Sequence, residues 1–260
     1  MVETITRAFL LGAGLGTRLR PLTDHMPKCL VPINGKPLLE IWLNLCGQCG
    51  IQDVLINTHH LAPRVEAWAA AQTSRTRIQL SYEESLLGSA GTVAANRDFI
   101  GDASDFYIFY ADNLISVDLE ALRSFHFRHD GILTLGLFHS PQPRQCGIVT
   151  LDSAQRVVSF EEKPAQPKSD LANAGVFIAR RELLEFLPSS GFSDFGRNIL
   201  PNLVGRMHGY VLKGYLLDIG TLENYQRAQL EWPLVGGHPS SGERTLGGPS
   251  RGFKTSEENC

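Results

Sequence analysis

The chain has 260 residues, 43% of them hydrophobic and 20% charged, which is typical of one large or two small globular domains. Its net charge of −3 gives no general attraction to nucleic acid or to anionic membranes. Five cysteines and an N-terminal sequence unlike a signal peptide are typical of a reducing compartment, and no apolar run approaches the roughly 20 residues of a membrane span. We therefore expect a cytoplasmic protein without nucleic-acid or membrane partners.

A glycine-rich loop follows the first predicted strand. Residues 8–11 are an apolar run, and the chain continues as Gly12-Ala13-Gly14-Leu15-Gly16-Thr17-Arg18. Glycines let successive backbone N–H groups converge on phosphate oxygens. Five Lys/Arg against one acid between positions 7 and 36 concentrate positive charge at this point. The segment is therefore predicted to bind phosphate.

Two common phosphate-binding motifs fit this loop poorly. A P-loop needs Gly-Lys-Ser/Thr after its last glycine, whereas Gly16-Thr17-Arg18 stands here. A dinucleotide fingerprint needs an acid at the end of the next strand, but residues 54–57 are followed by Thr58-His59-His60. The third interpretation is a loop whose glycines wrap a nucleoside triphosphate, while Arg18 and Lys28 draw charge from the leaving pyrophosphate.

Alternating elements after the loop predict a parallel sheet. They are a helix at residues 37–49, a strand at 54–57, a helix beginning at Pro63 and a strand at 78–83. The first helix ends in Cys46-Gly47-Gln48-Cys49. A redox pair of this spacing would open a helix rather than end one, so we interpret these cysteines as core packing. A glycine-bearing segment at residues 83–92 is a candidate for contact with a flat ligand such as a base.

Two acids follow apolar strands. Residues 106–110 are the clearest strand of the sequence and lead to Asp112, and residues 210–217 lead to Asp218. Ligands of open α/β sheets bind outside the carboxyl ends of the strands. A single aspartate after a strand is more often a turn cap, but the nearby phosphate loop favours a metal or substrate site.

The second half of the chain predicts a different arrangement. His126 and His129 lie on a predicted helix at residues 118–129, where we expect them to be solvated. Short strands, two of them joined as a hairpin, insert antiparallel pieces after the parallel core; they lie at residues 132–139, 147–151, 157–160 and 174–179. Further helices are predicted at residues 181–187, 195–204 and 222–232. Residues 1–232 would form the domain, and residues 233–260 a disordered tail.

Polar residues stand at the ends of the inserted strands. Glu161-Glu162-Lys163 closes one strand and Asn173 begins the next. Sugar hydroxyls need carboxylate and amide partners, and a sugar phosphate needs a cation such as Lys163. Taken alone, the segment is more typical of an exposed charged turn.

Over residues 7–231 the chain resembles the sugar-1-phosphate nucleotidyltransferases. Five separated motifs carry the resemblance: Gly12-Ala13-Gly14-Leu15-Gly16-Thr17-Arg18 with Pro27-Lys28, Leu87-Gly88-Ser89-Ala90-Gly91, Ala111-Asp112-Asn113, Phe160-Glu161-Glu162-Lys163-Pro164 with Asn173-Ala174-Gly175, and Asp218-Ile219-Gly220-Thr221. It implies a Rossmann-like, GT-A-like α/β fold: a mixed, mainly parallel sheet with helices on both faces and a small antiparallel insertion. It also implies an in-line displacement, in which a sugar phosphate oxygen attacks the α-phosphorus of a nucleoside triphosphate and pyrophosphate leaves.

The resemblance also assigns roles to the matching residues. Arg18 would stabilise the leaving group, Lys28 would contact the α-phosphate or the attacking phosphate, and Asp112 would be the third catalytic residue. Mg²⁺ would be held by Asp112 and Asp218. Nucleotide-binding residues would be Leu11, Gly12, Ala13, Gly14, Gly16 and Thr17 at the triphosphate and Gly88 and Gly91 at the base. Sugar-phosphate-binding residues would be Gly147, Glu162, Lys163 and Asn173.

The substrates are the least specified part of the resemblance. The Leu-Gly-Ser-Ala-Gly segment is most similar to guanylyltransferases of mannose 1-phosphate or D-glycero-D-manno-heptose 1-phosphate. Two alternatives stay open: a UTP- or dTTP-dependent enzyme of glucose or amino-sugar 1-phosphates, and a non-catalytic regulatory homologue that binds nucleotide sugars. Asn198 stands where the family commonly has an acid. The expected partners are a nucleoside triphosphate and a sugar 1-phosphate, and the resemblance allows a homo-oligomer.

Overall fold

The computed structural model describes residues 4–235, whose elements surround one large sheet. The strands are β1 (Arg7–Leu11), β2 (Pro32–Ile33), β3 (Lys36–Pro37), β4 (Asp53–Thr58), β5 (Arg77–Tyr82), β6 (Asp105–Tyr110), β7 (Asn113–Val117), β8 (Leu133–His139), β9 (Gly147–Leu151), β10 (Val157–Glu162), β11 (Leu171–Arg180), β12 (Met207–Val211) and β13 (Gly214–Asp218). The α-helices are α1 (Leu38–Gln48), α2 (Ala62–Ala70), α3 (Gly88–Ala95), α4 (Leu119–His126) and α5 (Leu222–Val235). Among the described residues, no helix is long and apolar enough to cross a membrane.

The parallel half of the sheet consists of the strands that the apolar runs predicted. Its order is β5-β4-β1-β6, with Leu10 opposite Ile56 on one side and Phe109 on the other. Alternate residues of β1 face opposite sides, and both sides are covered: α1, α2 and α4 pack over one face and α3 over the other. The predicted α/β fold is therefore confirmed.

The antiparallel strands continue this sheet. β11 runs antiparallel to both β6 and β8, the β9–β10 hairpin extends the edge beside β11, and β12 lies parallel to β8. The insertion expected from the sequence is thus part of a nine-stranded sheet and forms no separate layer.

A two-stranded ribbon outside the main sheet was not predicted. β7 begins directly after Asp112 and pairs antiparallel with β13, so that Asn113 lies opposite Asp218. The pairing brings the two acids that follow apolar strands to the same end of one ribbon.

Two predicted helices are irregular turns instead. Residues Arg181–Phe186 form a 3-10 helix, which ends where Leu187, the residue before Pro188, is extended. Residues Phe195–Ile199 form a π turn that leads into a 3-10 turn containing Pro201.

The π turn explains the asparagine in place of an acid. The backbone N–H of Asp194 donates to Asn198 Oδ1 (2.8 Å), while the Asp194 carboxylate accepts the backbone N–H of Arg197 (3.1 Å). An amide oxygen thus accepts the same kind of bond that a carboxylate would.

The boundaries of α4 and α5 differ from the prediction. α4 ends at His126, and α5 continues past residue 232 to Val235. The expected disorder of the remaining tail concerns residues 236–260, which lie outside the described residues.

The Cys46 and Cys49 pair behaves as core packing, as predicted. Cys46 is fully buried on α1, and burial raises the pKa of its thiol far above the usual range. Burial also raises the pKa of Cys49, to about 11. Both thiols are therefore protonated at neutral pH and are poor nucleophiles.

The prediction that His126 and His129 are solvated is wrong. His126 is fully buried, with Nδ1 2.6 Å from Thr134 Oγ1 and Nε2 2.9 Å from Asp105 Oδ1. His129 Nε2 lies 2.9 Å from the same hydroxyl, and its ring stacks on His208 with centroids 4.0 Å apart. Partners on β6, on β12 and on β8, the next strand along the chain, provide this environment.

This histidine cluster is expected to make stability pH-dependent. Burial lowers the pKa of His129 to about 3, with His208 and His126 adding to the effect, and burial also lowers the pKa of His208. The ordinary histidine value is 6.5, so between pH 6.5 and about 3 the unfolded chain binds more protons than the folded one. The free energy of unfolding therefore falls as the pH falls through this window.

We expect the free energy of unfolding, measured by urea denaturation, to fall by about 1–2 kcal/mol between pH 6.5 and 4.5. His129→Gln should flatten this dependence, whereas His25→Gln, at an exposed position, should keep it. Equal pH slopes in the wild type and His129→Gln would contradict the assignment.

Candidate active site

The centre of the site is Lys28, which is only 5% exposed. Lys28 begins a short buried 3-10 turn with Cys29 and Leu30, directly after Pro27. Its Nζ donates to Asp112 Oδ2 (2.8 Å) and to Asp218 Oδ1 (3.3 Å). One buried cation therefore joins the two acids at the ribbon end.

Opposing effects act on the Lys28 ammonium. Burial alone would lower its pKa, but the charges and hydrogen bonds of Asp112 and Asp218 outweigh burial and raise the pKa above its usual value. Lys28 is therefore a fixed positive charge at neutral pH. It is suited to electrostatic stabilisation of phosphate oxygens and unsuited to accepting a proton.

Arg18 completes a cluster of four predicted residues. Its Nη2 lies 3.9 Å from Asp218 Oδ2, and its side chain is 62% exposed. The backbone N–H of Gly220 donates to Asp218 Oδ1 (2.7 Å), which fixes that carboxylate beneath the arginine. The fold thus brings together Arg18, Lys28, Asp112 and Asp218.

The two aspartates have the donor chemistry that Mg²⁺ prefers. Their side chains are 43% and 50% exposed, so both face solvent as well as Lys28. No group of three or more His, Cys, Asp or Glu side chains that could hold a metal occurs within residues 4–235. An ion here would therefore need further oxygen ligands from substrate or water, as is usual for Mg²⁺ in phosphate-handling sites.

The glycine loop is hydrogen-bonded to the core at its first residues and is exposed to solvent further along. The backbone N–H of Gly12 donates to the buried Asn57 Oδ1 (2.8 Å), so this N–H is used inside the protein. The carbonyl of Leu11 accepts the N–H of Ala111 (3.0 Å), and Ala13 is 8% exposed. Gly14 lies on the surface with Thr17 and Arg18, where it can meet a ligand.

Gly16 provides the left-handed residue of the loop. Its φ is +63°, and a Cβ there would lie 2.8 Å from Thr23 Cγ2 and 3.1 Å from Lys28 Cβ. We expect Gly16→Ala to lower the free energy of unfolding by about 2 kcal/mol and to lower activity by displacing Lys28.

The control for this prediction is Gly35→Ala. Gly35 has a φ of +82°, but its Cβ would meet no atom within 4 Å, so only the backbone strain of about 1 kcal/mol is expected. If urea denaturation showed the same loss of unfolding free energy in both variants, the close contacts of the new Cβ with Thr23 and Lys28 would have no effect on stability.

The segment predicted to contact a base, here called the base loop (residues 87–91), packs against residues 191–193. A Cβ on Gly88 would lie 2.5 Å from the Ser193 carbonyl oxygen, and one on Gly91 would lie 2.7 Å from that of Gly191. The Gly91 N–H also donates to Ser193 (3.0 Å). Both glycines thus allow close packing of α3, and their contact with a base stays a prediction.

The predicted sugar-phosphate residues come from three strands. Glu162 ends β10 opposite Gly147 on β9, and burial raises the pKa of its half-buried carboxyl. Lys163, just past the strand, is 55% exposed. Asn173 lies on β11 beside Ala174, whose carbonyl accepts Asn113 Nδ2 (3.0 Å). This bond connects the Asn173 segment to the ribbon that carries the two aspartates.

Sequence reasoning missed the side chains that join these loops. Ser89 Oγ donates to Asp194 Oδ2 (2.9 Å) and accepts Tyr110 Oη (3.2 Å), and it links α3 to the π turn packed on Glu162. In the sequence, Asn57 stands out only as the place where a dinucleotide fingerprint would have a carboxylate. No local pattern marks such residues, because their partners lie far away in the sequence.

The structure thus combines an α/β fold with a glycine loop beside a lysine and two acids. The chain belongs to the nucleotidyl transferase family, whose model matches residues 7–233.

Curated relatives carry several substrate names. A mannose-1-phosphate guanylyltransferase of Mycobacterium tuberculosis is 32% identical over 86% of this chain and 64% of its own. A glucose-1-phosphate thymidylyltransferase of Streptomyces griseus is 39% identical over 83% of this chain and 63% of its own. Other relatives are named as uridylyl- and adenylyltransferases. The chain thus spans less than two thirds of the length of each of these two relatives.

Among solved structures, the chain is similar to HddC from Yersinia pseudotuberculosis. The TM-score is 0.73 at 25% identity, covering 88% of this chain and 100% of that one. A second structure of HddC is a complex with GMP-PN, with a TM-score of 0.72.

Proposed function

We propose that the protein transfers a nucleoside monophosphate from a nucleoside triphosphate to a sugar 1-phosphate and releases pyrophosphate. The observation that carries the proposal is the buried Lys28 cation held between Asp112 and Asp218, with Arg18 at its edge. Such a centre matches a displacement at phosphorus, where catalysis consists of positioning and of stabilising negative charge.

Each residue of this centre has a separate task in the proposed reaction. Lys28 stabilises the charge that develops around the α-phosphorus as the sugar phosphate oxygen attacks. Arg18, whose side chain is exposed, neutralises the departing pyrophosphate. Asp112 and Asp218 would hold Mg²⁺, which when bound would neutralise phosphate oxygens and favour the in-line arrangement. The glycine loop, residues 11–17, would hold the triphosphate.

The substrate is proposed to lie between the two halves of the sheet. Gly88 and Gly91 would flank the base on the parallel side, and Gly147, Glu162, Lys163 and Asn173 would bind the sugar phosphate on the antiparallel side. Glu162 has its carboxylate packed against glycines and offers acceptors to sugar hydroxyls. Lys163 provides an exposed cation for the phosphate.

We propose GTP with mannose 1-phosphate or heptose 1-phosphate as the first substrate pair. Support comes from the Leu87-Gly88-Ser89-Ala90-Gly91 segment, from the guanylyltransferase relative and from the GMP-PN complex of HddC. The second candidate is dTTP or UTP with glucose or an amino-sugar 1-phosphate, favoured by the 39% identity to a thymidylyltransferase. A purely regulatory protein would be free to lose Arg18, Lys28, Asp112 or Asp218, and all four are present.

The test is pyrophosphate release with Mg²⁺ across a matrix of substrates. GTP, UTP, dTTP, CTP and ATP are each combined with mannose, glucose, N-acetylglucosamine and heptose 1-phosphates. We expect release only when one nucleotide and one sugar phosphate are present together. Folded protein that releases pyrophosphate in no combination, but binds a nucleotide by calorimetry, would favour the regulatory alternative.

A further inference from the structure

Glu83 is a buried acid that has no part in the proposed reaction. It follows β5 directly and is only 3% exposed. Burying a carboxylate costs free energy unless its oxygens are hydrogen-bonded. The donors that surround it therefore indicate what the residue does.

Three donors from different segments converge on this carboxylate. Oε1 accepts Thr92 Oγ1 (2.5 Å), from α3, and Asn57 Nδ2 (2.9 Å), from the end of β4. Oε2 accepts the backbone N–H of Leu87 (3.0 Å), where the base loop meets α3. A carboxylate can accept all three bonds at once, because it has acceptors only.

The hydrogen bonds continue from Asn57 to the glycine loop. Asn57 Oδ1 accepts the backbone N–H of Gly12 (2.8 Å), which fixes the orientation of the amide group. Its NH₂ group must then face an acceptor, and Glu83 is that acceptor. An unbroken path of hydrogen bonds thus runs from Gly12 through Asn57 and Glu83 to Leu87.

We propose that Glu83 is a positioning residue that fixes the glycine loop, residues 11–17, relative to the base loop, residues 87–91. The inference rests on the proposed function, because only a nucleoside triphosphate would touch both loops. A ligand that bridges the loops gains from both only when their separation is already correct. A ligand that touches one loop is indifferent to that separation.

Glu83→Gln tests the proposal with calorimetry on the whole ligand and on its parts. The glutamine NH₂ group would face one of the three donors and leave it without an acceptor. We expect the affinity for GTP to fall about 10- to 100-fold. Inorganic tripolyphosphate and guanosine should each bind within about 2-fold of the wild type. If another base is preferred, its triphosphate and nucleoside replace these probes. Glu84→Gln, at the exposed neighbouring residue, is the matched control and should bind all three normally.

Two outcomes would overturn the proposal. One is an unchanged GTP affinity in Glu83→Gln. The other is a guanosine affinity that falls as far as that of GTP, which would mean that Glu83 contacts the base itself. If Glu83→Gln does not fold, Thr92→Val removes one donor at similar volume and should give a loss of about 3- to 10-fold for GTP with unchanged binding of both parts.

Amide hydrogen exchange separates this proposal from the proposed function. A wild-type protein that binds no nucleotide would contradict the function, but it would still contain the hydrogen-bonded path. In Glu83→Gln we expect the backbone amides of both Gly12 and Leu87 to exchange at least 10-fold faster than in the wild type. In Glu84→Gln their exchange rates should not change. Unchanged protection of either amide would refute the positioning role.

Discussion

Replacing Asp112 or Asp218 with asparagine is expected to lower the rate of nucleotidyl transfer by about 10²- to 10³-fold, while the fold is retained. Asparagine keeps the size of the side chain but removes a charge from the proposed Mg²⁺ site. Each variant keeps the other carboxylate beside the buried Lys28 ammonium, so the protein should be less stable than the wild type but still folded. The rate is measured as pyrophosphate release over a range of Mg²⁺ concentrations, and each variant should need more Mg²⁺ for half-maximal rate.

The matched control for these variants is Asp102→Asn. Asp102 is exposed and precedes β6, whereas Asp112 follows it, so the two acids stand at opposite ends of one strand. The control should have the wild-type rate. Wild-type rates in both Asp112→Asn and Asp218→Asn would exclude a metal site formed by these two carboxylates.

Lys28→Met is expected to have an equally large effect through the opposite charge. Methionine fills the buried space without a cation, so the charge around the α-phosphorus loses its stabilisation and kcat falls about 10²- to 10³-fold. The site then has one negative charge more. Without nucleotide, Mg²⁺ should therefore bind more tightly to Lys28→Met than to the wild type, while it binds more weakly to the two asparagine variants.

Misfolding would weaken Mg²⁺ binding in every variant. Tighter binding in Lys28→Met and weaker binding in the two asparagine variants, with a similar loss of rate, would therefore support the separate roles of lysine and aspartate. Lys36→Met changes an exposed lysine of β3 and should alter neither quantity. If Mg²⁺ bound more weakly to Lys28→Met, the cation would not be competing with the metal for the same two carboxylates. Thermal unfolding of each variant provides the check that the protein is folded.

The sequence predicts the parallel half of the fold well, because its signals are local. β1, β4 and β6 are apolar runs, and α1 has an amphipathic period that ends at glycine. The glycine loop and Lys28 are likewise close together in the chain. Neighbouring residues alone are therefore enough to recognise these parts of the site.

The ribbon β7–β13 could not be predicted in this way. Its first strand, residues 113–117, carries two polar residues and follows a turn without a break. Its partner lies about a hundred positions later, and no local pattern indicates which distant segment will pair with it. The local pattern could place Asp112 and Asp218 each after a strand, and only the family resemblance implied that they lie at one site.

The burial of several polar side chains also could not be predicted from the sequence. His126 and His129 are predicted to be solvated because most helix histidines are, yet they contact partners on β6, β8 and β12. Glu83 follows an edge strand and precedes an exposed acid, yet three donors surround it. Polar residues of this kind are predicted as surface, because their burial depends on partners in other elements that no local pattern specifies.

The separation of Lys28 from Asp218 has a consequence for biosynthesis. The two residues lie 190 positions apart, and the carboxylate belongs to the last strand of the described chain. During translation the glycine loop, β1, β4 and β6 are synthesised well before β13. The centre that joins lysine to both acids can close only after residue 218 has left the ribosome. The glycine loop is therefore synthesised long before the cluster of Lys28, Asp112 and Asp218 can form.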